Sequence, residues 1–357
     1  MKKIVVIEPY YGGSHKAFLD ALCRQLPCRF ELHTLPARKW KWRMRMAAPF
    51  FAARCQAGVL DLSGAAGIFC SSFLDVATFK GLLSDKYKHL PVYTYFHENQ
   101  FAYPVQVKDE RDFHFALTNF TTALASDRLA FNSQYNLESF LDGCRSLLAK
   151  APDTASPGWE EFIRDKSKIL YPGLDFQLID AAAPLRDNNK EPVILWNHRW
   201  EHDKDPEFFF STLFNLKRQG LPFKLIIAGQ AFTRQPEIFD RARKILAGRL
   251  QHFGYASSRK SYITLLKQAN LVVSTARHEF YGISILEAVR AGCLPLLPQR
   301  LSYPELFPKQ FLYEDKDFAV RLREVLERRQ FAIDGVRLTD RFDWARLRDD
   351  YCRWFRL

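Results

Sequence analysis

The sequence has no apolar run long enough to cross a bilayer, so no membrane partner is expected. Its seven cysteines are odd in number, scattered, and include no Cys-x-x-Cys pair. That pattern argues against a disulfide framework and a structural zinc site. It predicts reduced thiols, packed as small core residues in a cytoplasmic protein. The first apolar run, residues 4–7, meets Glu8 and Pro9. It is too short for the core of a signal peptide and suits a first strand. There is no short repeat and no low-complexity tract. The first glycine pair, Gly12-Gly13, lacks the G-x-G-x-x-G spacing and the acidic ribose reader of a dinucleotide site.

What is present is globular. The chain has 357 residues, 47% hydrophobic and 26% charged, enough for two domains of ordinary size. A net charge of +12 favours a polyanionic partner: nucleic acid, an acidic membrane surface or a phosphorylated ligand. Strand patterns at residues 3–7, 30–35, 67–70, 92–96, 128–131 and 168–171 alternate with helix patterns at 15–26, 112–125 and 135–148. A polar stretch at 180–192, with Pro184, Asp187, Asn188 and Asn189, reads as a linker. The alternation then resumes, with strands at 193–196, 223–228, 271–274 and 294–297 and helices at 207–218, 236–247, 283–291 and 316–329. Residues 344–355 form a basic, aromatic-rich helix pattern.

This order predicts an α/β protein of two doubly wound parallel-sheet (Rossmann-like) domains with an interdomain cleft. The expected domains are 1–180, on the acceptor side, and 190–335, binding a nucleotide sugar, with 342–357 packing back on the first. Ligands of such sheets bind beyond the carboxyl ends of the strands.

Those ends carry the chemistry. Glu279 and Glu287 lie eight positions apart, with Gly282 between them where a helix should begin. The N–H groups of Gly282 and Ile283, next to Phe280 and Tyr281, suit an anion. Two carboxylates beside an anion site are better used on neutral hydroxyls, with Glu287 on a ribose and Glu279 on a transferred sugar. The expected ligand is a nucleotide sugar. After strand 193–196 come Arg199 and Lys204, then Asp205 as an N-cap and Pro206 as a first helical residue. Two cations at a helix start can neutralise a departing diphosphate without a metal. Asp203-Lys204-Asp205 also spells the Asp-x-Asp of metal–nucleotide sites. That reading is set aside, because Asp205 has capping to do and Lys204 supplies positive charge.

Gly12-Gly13 allows close approach to a phosphate or sugar, or is a plain tight turn. After strand 92–96 stand His97, Glu98, Asn99 and Gln100. His97 suits a hydrogen bond to a sugar hydroxyl or proton handling, against the alternative of capping a helix.

The sharpest charge cluster is Arg38, Lys39, Lys41, Arg43 and Arg45, interleaved with Trp40, Trp42 and Met44. As an extended segment it puts Lys39, Lys41, Arg43 and Arg45 on one face and the tryptophans on the other. Three readings stand: a surface for single-stranded or loop RNA, a membrane-surface segment, or an amphipathic strand with its tryptophans inside.

Together these residues resemble the retaining GT-B glycosyltransferases of the family-4 type. The shared features are Glu279-x7-Glu287, Arg199 with Lys204, the Gly12-Gly13 turn, His97, and the segment from Tyr171 to Asp175. The strings from Glu8 to Lys16, Leu35 to Arg43, Phe96 to Gln100, Phe131 to Ser133, His198 to Glu207 and His278 to Gly282 are similar to the tRNA-queuosine α-mannosyltransferases. Vertebrate members of that family carry a long insertion where this chain has only 180–192.

The resemblance implies transfer of mannose from GDP-mannose, with retention and no metal. The implied acceptor is the cyclopentenediol of queuosine in the anticodon loop of tRNA(Asp). It implies that His97 and Glu279 hold the mannose, and that the guanine lies near Gly229 or Tyr255. His15, Lys16, Glu98, Asn99, Gln100 and the 38–45 cluster then fall on the acceptor side. One alternative is the same donor site with a lipid or polysaccharide acceptor. Another is a non-catalytic RNA-binding protein, against which Arg199, Lys204, Glu279 and Glu287 argue.

Overall fold

β1 (Lys3–Tyr11) shows how the first sheet is built. Its successive side chains point to opposite faces, so Ile4 and Val6 join one apolar cluster and Val5 and Ile7 another. The structure is a computed structural model that describes residues 1–103, 113–150, 152–154, 156–187, 190–230 and 236–357. The chain forms two units, residues 1–173 with 344–357, and residues 174–343.

In the first unit β1 is followed by α1 (Gly13–Gln25), β2 (Arg29–Pro36), α2 (Trp40–Gln56), β3 (Ala65–Ser71), α3 (Val76–Leu82) and β4 (Val92–Phe96). Then come α4 (Phe113–Ala125), β5 (Arg128–Phe131), α5 (Gln134–Leu148), α6 (Trp159–Asp165) and β6 (Ser167–Ile169). The expected start of α4 at Asp112 lies outside the described residues. The six strands run parallel in the order β2-β1-β3-β4-β5-β6. Every residue of β4 is buried, as expected of a parallel strand covered on both faces.

In the second unit α7 (Gln177–Asp180) precedes β7 (Val193–Trp196), α8 (Pro206–Arg218), β8 (Lys224–Ala228), α9 (Ile238–Ile245), β9 (Leu250–Gly254) and α10 (Arg259–Gln268). These lead to β10 (Leu271–Val273), α11 (Ile283–Arg290), β11 (Leu294–Pro298), α12 (Tyr303–Leu306), β12 (Leu312–Tyr313), α13 (Phe318–Arg328) and α14 (Gly335–Thr339). The strand order is β12-β11-β10-β7-β8-β9.

The last helix, α15 (Trp344–Phe355), belongs to the first unit. Its Trp344, Leu347, Tyr351, Trp354 and Phe355 cluster with Phe18 and Leu22 of α1 and with Ile4 and Val6. Fully burying a large apolar side chain stabilises by roughly 1.5–3 kcal/mol, so this helix is part of the first unit's core.

Two sequence expectations change here. The division falls at 173 and 343, not at 180 and 335. The physical cause is that Leu174 N–H bonds the carbonyl of Phe342, and Asp180 pairs with Arg290 at 2.5 Å. The supposed linker is likewise fastened to the second unit, since Arg186 donates to the carbonyls of Ala269 and of Ala291. Asn188 and Asn189 lie outside the described residues.

Residues 40–56 are a helix, not an extended segment. Over that longer window Met44, Ala47, Ala48, Phe51 and Ala52 repeat at helical spacing and are all buried. The short alternation of cation and tryptophan hid this.

Candidate functional site at two strand-crossing points

In each sheet the chain first adds strands to one side and then crosses to the other. The crossing lies between β1 and β3 in the first unit, and between β7 and β10 in the second. Ligands of open α/β sheets bind outside the carboxyl ends at such a point.

At the first crossing, Glu8 Oε1 accepts the Tyr10 N–H at 2.8 Å and the Ser71 hydroxyl at 3.0 Å. His15, in the first turn of α1, sits with Nδ1 3.6 Å from the same oxygen. The His97 ring lies 4.1 Å from the His15 ring, centroid to centroid. Asn132 anchors the His97 carbonyl at 2.6 Å.

Asn99 does not face solvent. Its amide donates to Asn136 Oδ1 at 2.9 Å and Ser139 at 2.9 Å, while its Oδ1 accepts from Ala102 at 2.9 Å. Fully buried, it shapes the loop after β4 instead of presenting itself to an acceptor. Gln100 is held by its N–H on Asn119 Oδ1 at 2.9 Å, and Glu98 is half-buried.

Gly12 has extended backbone, and a Cβ there would lie 2.4 Å from the Ala37 Cβ. Its bare side therefore seats Ala37. Gly13 has φ +52° and open space around it. Lys16 pairs with Asp20, which also accepts from the Tyr11 hydroxyl.

The helical α2 splits the basic cluster. Trp40 packs on Phe115 at 5.2 Å, and Met44 is buried. Arg43 Nε donates to the Pro36 carbonyl at 3.2 Å. Arg45 stacks over Phe115 at 4.8 Å, and Lys41 lies 5.8 Å over Trp40. Arg38 and Lys39 are exposed. Trp42, Met46 and Phe50, four residues apart, form an apolar stripe 61%, 53% and 42% exposed.

The second crossing is ionic. Lys204, only 5% exposed, donates to the His278 carbonyl at 2.5 Å and lies 3.2 Å from Asp203 Oδ2 and 3.4 Å from Glu279 Oε2. Burial pushes the Glu279 carboxyl up, but Lys204, with His198 and His278, outweighs it and the net direction is down. Asp203 is lowered too: His278 and Lys204 overcome its burial. His198 is buried and held neutral, its pKa drawn down to about 3 by burial and then by Lys204. Arg199 is half-exposed and pairs with Glu201 at 3.0 Å. Asp205 caps α8 by accepting the Phe208 N–H at 3.2 Å and pairs with Arg277 at 2.6 Å.

Gly282 holds φ +102°, a conformation that favours glycine, and delivers Ile283 as the first residue of α11. Phe280 and Tyr281 are both buried. Glu287 meets Arg259 Nη1 at 2.7 Å, and burial pushes its carboxyl upward against that cation. A Cβ on Gly229 would lie 1.8 Å from the His198 carbonyl oxygen, so that glycine is required by the adjoining loop. Tyr255 is 73% exposed.

Residues 3–174 match the family model of tRNA-queuosine alpha-mannosyltransferase N-terminal domains, and residues 180–332 match glycosyl transferases group 1. A tRNA-queuosine alpha-mannosyltransferase from Drosophila melanogaster is 36% identical over 319 residues, covering 87% of this chain and 83% of that one. The chain belongs to the tRNA-queuosine alpha-mannosyltransferase family.

Among solved structures, sucrose-phosphate synthase from Thermosynechococcus elongatus has a TM-score of 0.73 at 13% identity, covering 100% of this chain and 98% of that one. Anabaena HepE in complex with UDP has a TM-score of 0.68 at 13% identity, with 99% of each chain covered. The fold is that of the GT-B glycosyltransferases, and the chain is a glycosyltransferase.

For a mannosyltransferase of this family the two residue sets divide cleanly. Glu8, His15, His97 and α2 lie in the N-terminal match, and Arg199, Lys204, Glu279 and Glu287 in the group 1 match. Sequence reading missed Arg259, His198 and Glu8 as members of these sets. A signal for Arg259 existed: Ser258 and Ser261 form a capping box that starts α10.

Proposed function

We propose that the protein transfers mannose from GDP-mannose, with retention, to the cyclopentenediol of queuosine in a tRNA anticodon loop, that of tRNA(Asp). The observation that carries the reading is the Arg199, Lys204, Glu279 and Glu287 set at the β7/β10 crossing of a chain in this family.

On this reading Arg199, Lys204 and the N–H groups at the start of α11 receive the charge of the departing GDP. Glu287 binds the ribose and Glu279 a mannose hydroxyl, with His97 of the first unit assigned to another. Gly229 and Tyr255 stay assigned to the guanine side. The leaving phosphate oxygen accepts the acceptor's proton on the face it vacates, which retains configuration. No metal is invoked: Asp203 is engaged by Lys204, and Asp205 by Arg277 and the α8 cap.

The exposed face of α2 is assigned to the acceptor, with Trp42 as a stacking ring and Lys41 and Arg45 as phosphate contacts. A cytoplasmic location is proposed on the seven free thiols, four of them buried.

Incubation of queuosine-containing tRNA with GDP-mannose and the protein, followed by nucleoside mass spectrometry, tests the reading. A hexose increment on queuosine is expected. Its absence with every queuosine tRNA, when GDP-mannose binding is proven, sinks the acceptor assignment. A thermal-shift screen of GDP-, UDP- and ADP-sugars tests the donor, because the right one raises the midpoint by mass action.

The Trp42, Met46, Phe50 stripe beside cations also fits an interfacial helix and hence a lipid acceptor. Among the described residues no helix is long and apolar enough to cross a membrane. Sedimentation with anionic vesicles, without tRNA affinity, would favour that second reading.

A further inference from the structure

Two imidazoles meet at the β1/β3 crossing, His15 buried and His97 half-buried. The His15 and His97 rings are 4.1 Å apart at an interplanar angle of 37°. An aromatic cage fixes both. His15 meets the edge of Phe73 at 5.3 Å, and His97 meets Phe18 at 4.8 Å and Tyr95 at 4.6 Å. His15 is 4% exposed, and its Nδ1 makes no hydrogen bond. Glu8 Oε1 lies 3.6 Å from it, within ion-pair reach but beyond a hydrogen bond. Glu8 is itself buried and is fixed by the Ser71 hydroxyl and the Tyr10 N–H.

Three adjacent strands thus contribute to one cluster: Glu8 of β1, Ser71 of β3 and His97, the residue after β4. A buried carboxylate needs a counter-charge or hydrogen bonds. Two neutral donors leave room for a cation, and His15 is the group in place. Two adjacent imidazoles will not both carry charge, since like charges at this range repel.

We propose that Glu8 and His15 are positioning residues for His97. The Glu8 carboxylate holds a charged His15 against the face of His97, so that His97 meets a sugar hydroxyl as a neutral ring of fixed orientation. A neutral imidazole offers one donor and one acceptor nitrogen, whereas the charged form only donates. His97 can therefore take both the lone pair and the proton of a hydroxyl network.

The titratable groups facing the pair are Glu8 and Tyr10 from β1, and Tyr95 and Glu98 from β4 and the loop beyond it, with Cys70 of β3 coupled to Glu8. Tyr351 of α15 lies behind Tyr95. Burial alone would lower the His15 pKa, but Glu8, with Glu98 behind it, outweighs burial and the net direction is upward. His97 goes well below its ordinary value, through burial and then the His15 charge.

The role in sugar binding rests on the proposed assignment of His97 to mannose, but the arrangement can be read without substrate. Histidine-labelled protein titrated by NMR should show His15 protonating at higher pH than His97. Glu8→Gln should lower the His15 midpoint and raise that of His97 by about a unit, as removal of a neighbouring charge does. His15→Phe keeps a ring on His97 but removes the charge, so it should also raise the His97 midpoint. In both variants the acid limb of kcat/KM for the sugar nucleotide should move toward neutral pH.

Unchanged His97 midpoints in both variants would overturn the proposal. So would an acid limb that stays in place while activity falls equally at every pH, the mark of a structural role. If Glu8→Gln does not fold, His15→Phe decides alone. If the protein proves inactive with every sugar nucleotide, the mannose reading fails while the NMR result still judges the pair.

Discussion

The two strand-crossing points solve the same problem in opposite ways. In the first unit, side chains are held by rings: His15 and His97 sit among Phe18, Phe73 and Tyr95, with Glu8 beside His15. In the second, they are held by charge: Lys204 lies against Asp203 and Glu279, and Arg259 against Glu287. An aromatic cage fixes orientation and keeps an imidazole neutral. A closed ionic set holds the Asp203 and Glu279 carboxyls below their ordinary values and keeps Lys204 in place. On the proposed reading, the site that absorbs charge is built from charge and the one that reads hydroxyls is built from rings.

The sharpest way to break this contrast is Glu279→Ala. It removes the proposed sugar contact and one of the carboxylates around Lys204, so transfer should fall by about 10² to 10³ fold, the size seen when one positioned polar group is lost. Binding of tRNA, assigned to the other unit, should not change. A loss of tRNA affinity in a gel-shift assay would show that the two sets are not separable.

The next largest effect concerns α2. In a helix Lys41 and Arg45 are neighbours one turn apart, while Arg43 is tied to the Pro36 carbonyl. Lys41→Ala with Arg45→Ala should weaken tRNA binding by about 10-fold or more and reduce the salt slope by about one to two units. Trp42→Ala should cost about 1–3 kcal/mol of tRNA binding through lost stacking, with little change in that slope. A double mutant with an unchanged slope would refute the RNA role of this face and return weight to the vesicle experiment.

A third test uses pH. His198 is neutral in the folded protein, with a pKa near 3. The unfolded chain takes up that proton below about 6.5 and the native protein does not. Stability from this group is therefore complete above about 6.5 and falls as pH drops toward 3, by about 1.4 kcal/mol per unit. His97 acts in the same direction. His15, raised by Glu8, acts oppositely: its contribution is present below about 6.5 and is lost as pH rises through its folded value. Denaturant melts from pH 7 to 5 should show a net loss, and His198→Gln should flatten it by close to one proton. An equal slope in the variant would mean that His198 is charged or solvated.

How much of this was legible depends on how local the signal is. Strands 92–96, 128–131 and 193–196 are found at the expected residues, because short apolar runs between polar stretches mark buried strands. The Asp205-Pro206 start of α8 is equally local. α2 failed because residues 39–45 alternate like a strand, and only the apolar spacing out to Ala52 reveals a helix. β9 and α10 were missed because β9 is a half-buried edge strand with no apolar run. Asn99 looked like a ligand group because it stands in a polar quartet, and its partners on α5 are 37 and 40 positions away. The pairing of Arg259 with Glu287 is likewise long-range, made only when α10 and α11 come together.

That last pair defines the smallest effect. If Glu287 binds a ribose, the donor must share or displace Arg259, whose guanidinium occupies the carboxylate now. Arg259→Ala removes a competitor for Glu287 but also the cation that opposes the burial-raised carboxyl. Without that cation, with only the Tyr262 hydroxyl left beside it, Glu287 should bind a proton more readily, and a protonated carboxyl accepts vicinal hydroxyls less well. These two effects oppose each other. Near pH 8, where the carboxylate persists, KM for GDP-mannose should change by about threefold at most, on the order of 0.7 kcal/mol. Near pH 6 the variant should bind the donor more weakly than the parent. Glu287→Gln should raise KM at both pH values, because an amide replaces the paired acceptor outright. If Arg259→Ala raises KM equally at both, Arg259 contacts the donor directly, and the ionic wall of the second unit binds with its cations as well as its carboxylates.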